Sequence, residues 1–362
     1  MKREEMLARL REREEPWDIL VIGGGATGAG VALDAASRGY SVLLLEREDF
    51  GKGTSSRSTK LIHGGVRYLQ QGNLPLVMEA LKERGILLRN APHLVHELPF
   101  LIPSYRFWEK PFYGAGLKLY DLLAGRSGFS KSKLLSRART LDRQPGIRQE
   151  GLRGSVLYYD GQFDDARLLI ALVMTAAEQG AVVLNHTGVV EVTKDSAGAV
   201  NGVIAVDGET GERLSSKARV VVNATGIFSD AVRRMADPDA PAMIAPSQGI
   251  HLVFDKSFLN GGAAIMVPHT SDGRLMFAIP WHGHTLVGTT DTPIAAPSYE
   301  PRPFEQEIEF LLETAGRYLR KAPRREDILS AFAGVRPLVK ASGASARATS
   351  TISREHTISI DS

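Results

Sequence analysis

The stretch Asp18-Ile-Leu-Val-Ile-Gly-Gly-Gly-Ala-Thr-Gly28 decides the fold. Its apolar run stops abruptly at glycines, which predicts a buried strand ending in a tight turn. Ala26 to Arg38 has helical composition and is closed by Gly39, and Ser41 to Leu45 reads as a second strand ending at Glu46. Gly23, Gly25 and Gly28 satisfy G-x-G-x-x-G between that strand and that helix, and Glu46 answers them 23 residues after Gly23. Gly23 allows the turn, Gly25 lets a pyrophosphate approach the backbone, and Gly28 lets helix and strand pack closely. The free N–H groups of the helix start, at Ala26, Thr27 and Gly28, together with its partial positive charge, suit phosphates. The Glu46 carboxylate can accept ribose hydroxyls and would repel a 2′-phosphate, which argues against NADP. A glycine turn without a ligand is the alternative, and the strand, helix and acid around it favour a dinucleotide.

Composition narrows the rest. At 362 residues the chain is long enough for two domains or one elaborate α/β unit, and 43% hydrophobic against 23% charged residues permits a sizeable core. The net charge of +3 with no long Lys/Arg run does not argue for nucleic acid and is compatible with anionic substrates or an anionic membrane surface. The absence of cysteine rules out disulfides, thiolate metal sites and thiol catalysis. No His/Asp/Glu spacing suggests a metal. Met1 to Glu15 carries five basic and five acidic residues around Met6, Leu7 and Leu10. It fits neither a signal peptide nor a presequence, and the expectation is a solvated helix. No segment approaches the roughly 18 apolar residues of a membrane span.

Along the chain, Leu76 to Leu88 and Asp165 to Gly180 are helical in pattern, and Ala181–Leu184, Val189–Val192, Val200–Val206 and Ala218–Val222 read as strands. From Gly249 to Thr290 the pattern changes to short strands at Ile250–Phe254, Ala264–Val267, Leu275–Ile279 and Thr285–Gly288, which predicts an antiparallel sheet. A Pro-rich link over Pro293 to Pro303 leads to an amphipathic helix at Phe304 to Arg320.

The strip after Glu46 separates FAD from NAD. Thr54-Ser-Ser-Arg-Ser-Thr-Lys-Leu-Ile-His-Gly-Gly65 is dense in hydroxyls and ends in a Gly pair, where a nicotinamide domain would proceed to its next β-α unit. A flavoenzyme lays such a strip along FAD. Thr54, Ser55, Ser56, Ser58, Thr59, Lys60, His63, Gly64 and Gly65 are therefore cofactor candidates; a solvated loop is the plain alternative. The strand before Asn223-Ala-Thr-Gly226 can return the chain to the nucleotide, adding Ala224, Thr225 and Gly226, and Val189 joins them as a further cofactor candidate.

The run Thr54 to Val66-Arg67-Tyr68 resembles the signature of FAD-dependent sn-glycerol-3-phosphate dehydrogenases. Tyr158-Tyr-Asp-Gly-Gln162 with Asp165-Ala-Arg167, Asn223 to Gly226, Gly288-Thr-Thr-Asp-Thr-Pro293 and Gly334-Val-Arg-Pro-Leu338 follow in the family's order, from about Trp17 to the end. The resemblance implies an α/β fold of the D-amino-acid-oxidase/glutathione-reductase type, a Rossmann-like FAD-binding domain with an inserted, mostly antiparallel substrate-binding sheet domain. The boundaries expected are 17–98, 155–245 and 330–362 for FAD, 246–329 for substrate, and 99–154 for a basic, aromatic, membrane-facing segment. It also implies oxidation of glycerol 3-phosphate at C2 to dihydroxyacetone phosphate, with hydride passed to FAD and electrons to a membrane quinone. A glycerol-3-phosphate oxidase using O2, an amino-acid-oxidase-like enzyme and a non-catalytic FAD-binding fragment are the rivals.

The resemblance places Arg67 and Arg336 at the substrate phosphate, a task that suits a guanidinium fork. Tyr68 is the neighbouring hydroxyl. For the proton acceptor histidine is the natural residue type; His251 leads because the family has a histidine there, and His63 beside the Gly pair is second. His282 and His284 flank Gly283 in an expected exposed hairpin. Pro99 to Phe129 carries eight aromatic residues among Arg106, Lys110, Lys118 and Arg126, a composition that suits either a core helix with a basic edge or an interfacial segment. The quinone-linked family favours the interfacial reading, hence a peripheral protein on the cytoplasmic side of the cell membrane. A homodimer is compatible with the sequence. In the family a Gly-Gly-Lys turn and a helical C-terminal domain follow the last residues seen here, so that domain is expected to be absent.

Overall fold

The computed structural model describes residues 1–66, 69, 72–125, 129–268, 270, 273–340 and 357–360. Strand β1 (Trp17–Ile22) lies between β2 (Val42–Leu45) and β10 (Arg213–Asn223), parallel to both, and β2 is parallel to β7 (Val182–Leu184). The nearly unbroken apolar runs of β1, β2 and β7 are what parallel strands covered on both faces require. β9 (Val200–Asp207) and β8 (Thr187–Lys194) extend this layer antiparallel, giving the order β7-β2-β1-β10-β9-β8.

Side-chain alternation sorts the two faces. Val21, Val42 and Leu44 point to helices α2 (Ala26–Ser37) and α6 (Asp165–Glu178), where Ala29, Ala32, Ala35 and Ala36 let α2 approach closely. Leu20, Ile22, Leu43 and Leu45 point the other way, to α1 (Arg3–Arg11) and Val232 of α7 (Ser229–Ala236). Helix α1 departs from the expected solvated helix. Met6, Leu7 and Leu10 are buried in the core, and Arg3 reaches Asp207 at 3.0 Å. A balanced charge count conceals three apolar residues grouped on one side of the helix.

Among the described residues, the second sheet has ten strands. β11 (Ile244–Asp255) pairs antiparallel with β14 (His284–Gly288), β15 (Thr292–Pro293) and β16 (Ser330–Val339). β13 (Met276–Trp281), β12 (Ala264–Val267), β4 (Val95–Ser104), β6 (Gly154–Phe163) and β3 (Leu61–Ile62) continue it, with β5 (Lys133–Ser136) also on β6. Among the described residues, only β12–β4 is parallel within it. Helix α8 (Glu305–Tyr318) buries Leu311 and Ala315 against Ile250, Leu252 and Phe254. Helices α3 (Leu74–Asn90) and α4 (Glu109–Ala124) bury Val77, Leu81, Tyr113, Leu117 and Tyr120 against Phe100, Ile102 and Tyr158. α5 (Arg137–Arg143) follows β5.

This sheet takes in more chain than 246–329. β4 and β6 come from segments expected in the membrane-facing and FAD-binding parts, and β16, expected in the FAD-binding part, pairs with β11 over ten residues. Pro99 and Pro103 remove ladder donors from β4 and disguise it as a non-strand. The β13–β14 hairpin is as expected, with His282, Gly283 and His284 exposed.

Candidate active site

The glycine turn is built by close approach. Gly23 sits at φ 109°, and a Cβ there would lie 2.6 Å from the Ala224 carbonyl oxygen; a Cβ on Gly28 would overlap the Gly23 carbonyl. Ala224 is held here because its N–H donates to the Ile22 carbonyl at 2.8 Å. The turn opens α2 at Gly25, and Ala26 and Thr27 are exposed at the helix start. The Ala26 N–H donates to Ser55 Oγ at 2.9 Å. Other donors of the first turn have no helical acceptor, the arrangement that receives phosphate. Glu46 accepts from the Gly24 N–H at 2.6 Å and the Glu48 N–H at 2.8 Å, and burial pushes its carboxyl up while those bonds oppose the shift.

β8 begins beside this end of the turn, because the Thr187 N–H donates to the Glu46 carbonyl at 2.7 Å. Val189 follows on β8, opposite Ala205 and packed on the core. Thr225 donates from N and Oγ1 to Asn223 Oδ1 at 3.2 and 2.7 Å, and Gly226 takes φ 56°. Ala224 and Thr225 thus form the second wall of the turn, with Gly226 next along the chain.

The hydroxyl strip runs from there to the second sheet, and much of its polarity is directed at protein. Thr54 Oγ1 donates to the Val335 carbonyl at 2.6 Å. Ser58 gives Asp165 Oδ2 both its N–H at 3.0 Å and its Oγ at 2.7 Å. Lys60, at φ 62°, donates Nζ to Asp165 Oδ1 at 2.7 Å and to the Ser56 carbonyl at 2.8 Å. Lys60 therefore anchors the strip. Asp165 lies at the start of α6, 105 residues from Lys60.

Between strip and sheet lies a cavity of about 280 Å³, lined by Thr54, Thr59, His63, Gly65, His251 and Arg336 among others. His251 is 3% exposed, stacks on Phe332 at 4.8 Å, and shares a 2.8 Å hydrogen bond through Nε2 with Thr59 Oγ1. Its Nδ1 is buried and has no hydrogen-bond partner among the described residues. Burial first, then the charges of Arg336 and Lys60, lower its pKa to about 3, so the ring is neutral at neutral pH. Arg336 stands on β16 opposite Ser247, donating Nη2 to Thr289 Oγ1 at 2.8 Å with Nη1 3.7 Å from Asp291. His63 is exposed at the cavity, and its Nδ1 accepts the Gly65 N–H at 3.1 Å. Arg67 and Tyr68 lie outside the described residues.

The chain matches the sequence pattern of the FAD dependent oxidoreductase family over residues 18–354. It belongs to that family. FAD is accordingly the cofactor, and the glycine cradle, open helix start, Glu46 and continuous strip fit a flavin dinucleotide. Among relatives, the mitochondrial glycerol-3-phosphate dehydrogenase of Arabidopsis thaliana is 47% identical over 95% of this chain and 56% of its own length. The corresponding human protein is 44% identical over 99% and 51%. The chain thus spans about half the length of these curated relatives. The solved structure of the Bacillus halodurans glycerol-3-phosphate dehydrogenase, complexed with FAD, superposes with TM-score 0.76 at 36% identity, over 94% of this chain and 60% of that one. The FAD-bound L-alpha-glycerophosphate oxidase of Mycoplasma pneumoniae shares the fold, with TM-score 0.70 at 18% identity over 91% and 85%.

In this flavoprotein the structure brings His251, Arg336, Thr59, His63 and Gly65 to one cavity. Reasoning from sequence left out the groups that hold them: Asp165 for Lys60 and Ser58, and Thr289 with Asp291 for Arg336. The motifs Asp165-Ala-Arg167 and Gly288 to Pro293 were signals for these residues, since each carries a carboxylate that ends up buried.

Proposed function

We propose that this chain oxidises sn-glycerol 3-phosphate to dihydroxyacetone phosphate. The observation that carries the reading is the pairing of Arg336 with neutral His251 on one cavity wall of an FAD family member. The names of the relatives at 47% and 44% identity support the choice of substrate. Bound FAD supplies the acceptor for the hydride from C2, and we propose a membrane quinone as the onward electron acceptor. The six-stranded sheet with its glycine turn serves the dinucleotide, and the ten-stranded sheet serves the substrate. Arg336 binds the phosphate dianion through its guanidinium, with Arg67 and Tyr68 assigned to the same group by family resemblance. His251 accepts the C2 hydroxyl proton. Burial is the main cause of the low His251 pKa, and a dianion beside Arg336 offsets the smaller part that comes from positive charge. His63 at the cavity surface is the second candidate for that proton.

The deciding experiment is anaerobic mixing of the FAD-loaded chain with glycerol 3-phosphate, glycerol or amino acids. Bleaching of the flavin by glycerol 3-phosphate alone is the expected result; no bleaching leaves a flavin-binding chain without this activity and sinks the reading. Peroxide formation in air without quinone identifies an oxidase.

For the membrane, no helix among the described residues is long and apolar enough to cross a bilayer. We infer peripheral attachment to an anionic surface, on the cytoplasmic side of the cell membrane, through α4 and the turn before it. Tyr113, Leu117, Tyr120 and Ala124 form its core face, whereas Phe107, Phe112, Leu119 and Leu122 are exposed at 80%, 55%, 42% and 76%. Trp108→Ala with Lys118→Glu should abolish co-sedimentation with anionic liposomes, and unchanged co-sedimentation refutes it.

A further inference from the structure

Behind the Gly64–Gly65 turn lies a buried polar network that the chemistry above does not use. The Gly64 N–H donates to Tyr120 Oη at 2.8 Å, and Tyr120 donates to Asp160 Oδ2 at 3.0 Å. Asp160 Oδ1 accepts from Arg84 Nη1 at 2.5 Å. Tyr120, Asp160 and Arg84 are 2%, 1% and 1% exposed, so three polar side chains from α4, β6 and α3 meet away from water. The turn is held against both helices, since a Cβ on Gly64 would lie 2.5 Å from Tyr120 Oη and 2.6 Å from Leu81 Cδ2. Gly65 and Asp160 themselves line the cavity.

A buried ion pair is costly to desolvate and contributes little to stability that apolar packing could not. This one ends on the N–H of Gly64, the chain neighbour of Gly65 in the cavity wall, where a hydrogen bond fixes where a turn stands. We propose that Tyr120 is a positioning residue for the flavin, holding the Gly64–Gly65 turn in the place from which it contacts the bound cofactor. The proposal rests on Gly64 and Gly65 being flavin contacts. Burial, with Asp160 beside it, pushes the Tyr120 pKa well upward, so the hydroxyl keeps its proton for Asp160 while its oxygen accepts the Gly64 N–H. The residue reaches the turn from α4, so one helix carries both the exposed apolar face and this contact.

The test uses the full chain with Tyr120→Phe, which keeps the ring and deletes only the hydroxyl. FAD dissociation constant, midpoint potential and visible spectrum are measured beside the melting temperature of the apoprotein. Expected are an FAD affinity weakened about tenfold, a displaced potential and an altered flavin band. Tyr113→Phe, which removes a hydroxyl from the same helix away from Gly64, should leave all three unchanged. The proposal is overturned if Tyr120→Phe leaves them unchanged, or if Tyr113→Phe moves them equally. If Tyr120→Phe does not fold, Gly64→Ala displaces the same turn against Tyr120, and wild-type flavin properties in that variant overturn it. A wild-type chain that binds no FAD defeats the cofactor assignment instead, so the two failures are distinguishable.

Discussion

Replacing Asp165 with Asn tests whether a buried ion pair, rather than the flavin, shapes the hydroxyl strip. Asp165 is 4% exposed and its two oxygens receive Lys60 Nζ, Ser58 N–H, Ser58 Oγ and its own helix's Ala166 N–H, at 2.7, 3.0, 2.7 and 2.8 Å. An Asn side chain keeps one acceptor oxygen and turns an NH2 group onto either the Lys60 ammonium or the Ser58 donors. In both arrangements donors face donors, and the 9% exposed Lys60 is left with its charge uncompensated. Breaking a buried pair in this way costs about 3–5 kcal/mol. At about 1.3 °C per kcal/mol for a chain of this size, the apoprotein should melt roughly 4–7 °C lower. Because Thr59 follows Ser58, the hydrogen bond to His251 loosens too, and FAD affinity should fall with the melting temperature. Differential scanning calorimetry on apo and FAD-loaded protein reads both effects. Lys60→Met in the Asp165→Asn background removes the stranded charge and should recover part of the loss. A drop below about 2 °C, or a double variant no more stable than Asp165→Asn, would refute the reasoning.

Three further outcomes follow from the same geometry. Gly28→Ala places a Cβ inside the Gly23 carbonyl, and FAD should no longer be retained on gel filtration, whereas Gly30→Ala, with open space around it, should retain it. Arg336→Lys keeps a charge but loses the fork, so KM for glycerol 3-phosphate should rise at least tenfold with the flavin spectrum unchanged. His251 has a folded pKa of about 3 against an ordinary 6.5, so the unfolded chain binds the extra proton between those values. Its contribution is full above pH 6.5 and declines as pH falls toward 3; between pH 7 and 5 the chain should lose about 2 kcal/mol that His251→Gln does not lose.

How far the site could be read in the sequence depended on the separation of the partners. The glycine turn, Glu46 and the strip are contiguous or nearly so, and their chemistry follows from local rules. His251 and Arg336 came into view only through resemblance, since neither stands in a pattern that local physics singles out. Asp165, Asp291, Tyr120 and Arg84 escaped because each acquires its role from a residue dozens of positions away, as Asp165 does from Lys60. The same distance effect hid the sheet membership of β4, β6 and β16: strand pairing is decided by burial of both faces, and a proline-bearing strand shows little alternation.

The sequence by itself determined the βαβ unit, because a strand, a glycine turn with no room for Cβ atoms and an alanine-faced helix are set by neighbours within about 30 residues. It excluded thiol chemistry through composition alone, since the chain has no cysteine. Only the tertiary structure decided that Lys60 serves Asp165, that α1 belongs to the core, and that His251 is a buried neutral ring beside Arg336. Those outcomes depend on desolvation and on which charges meet in space, and neither quantity exists until the chain has closed on itself.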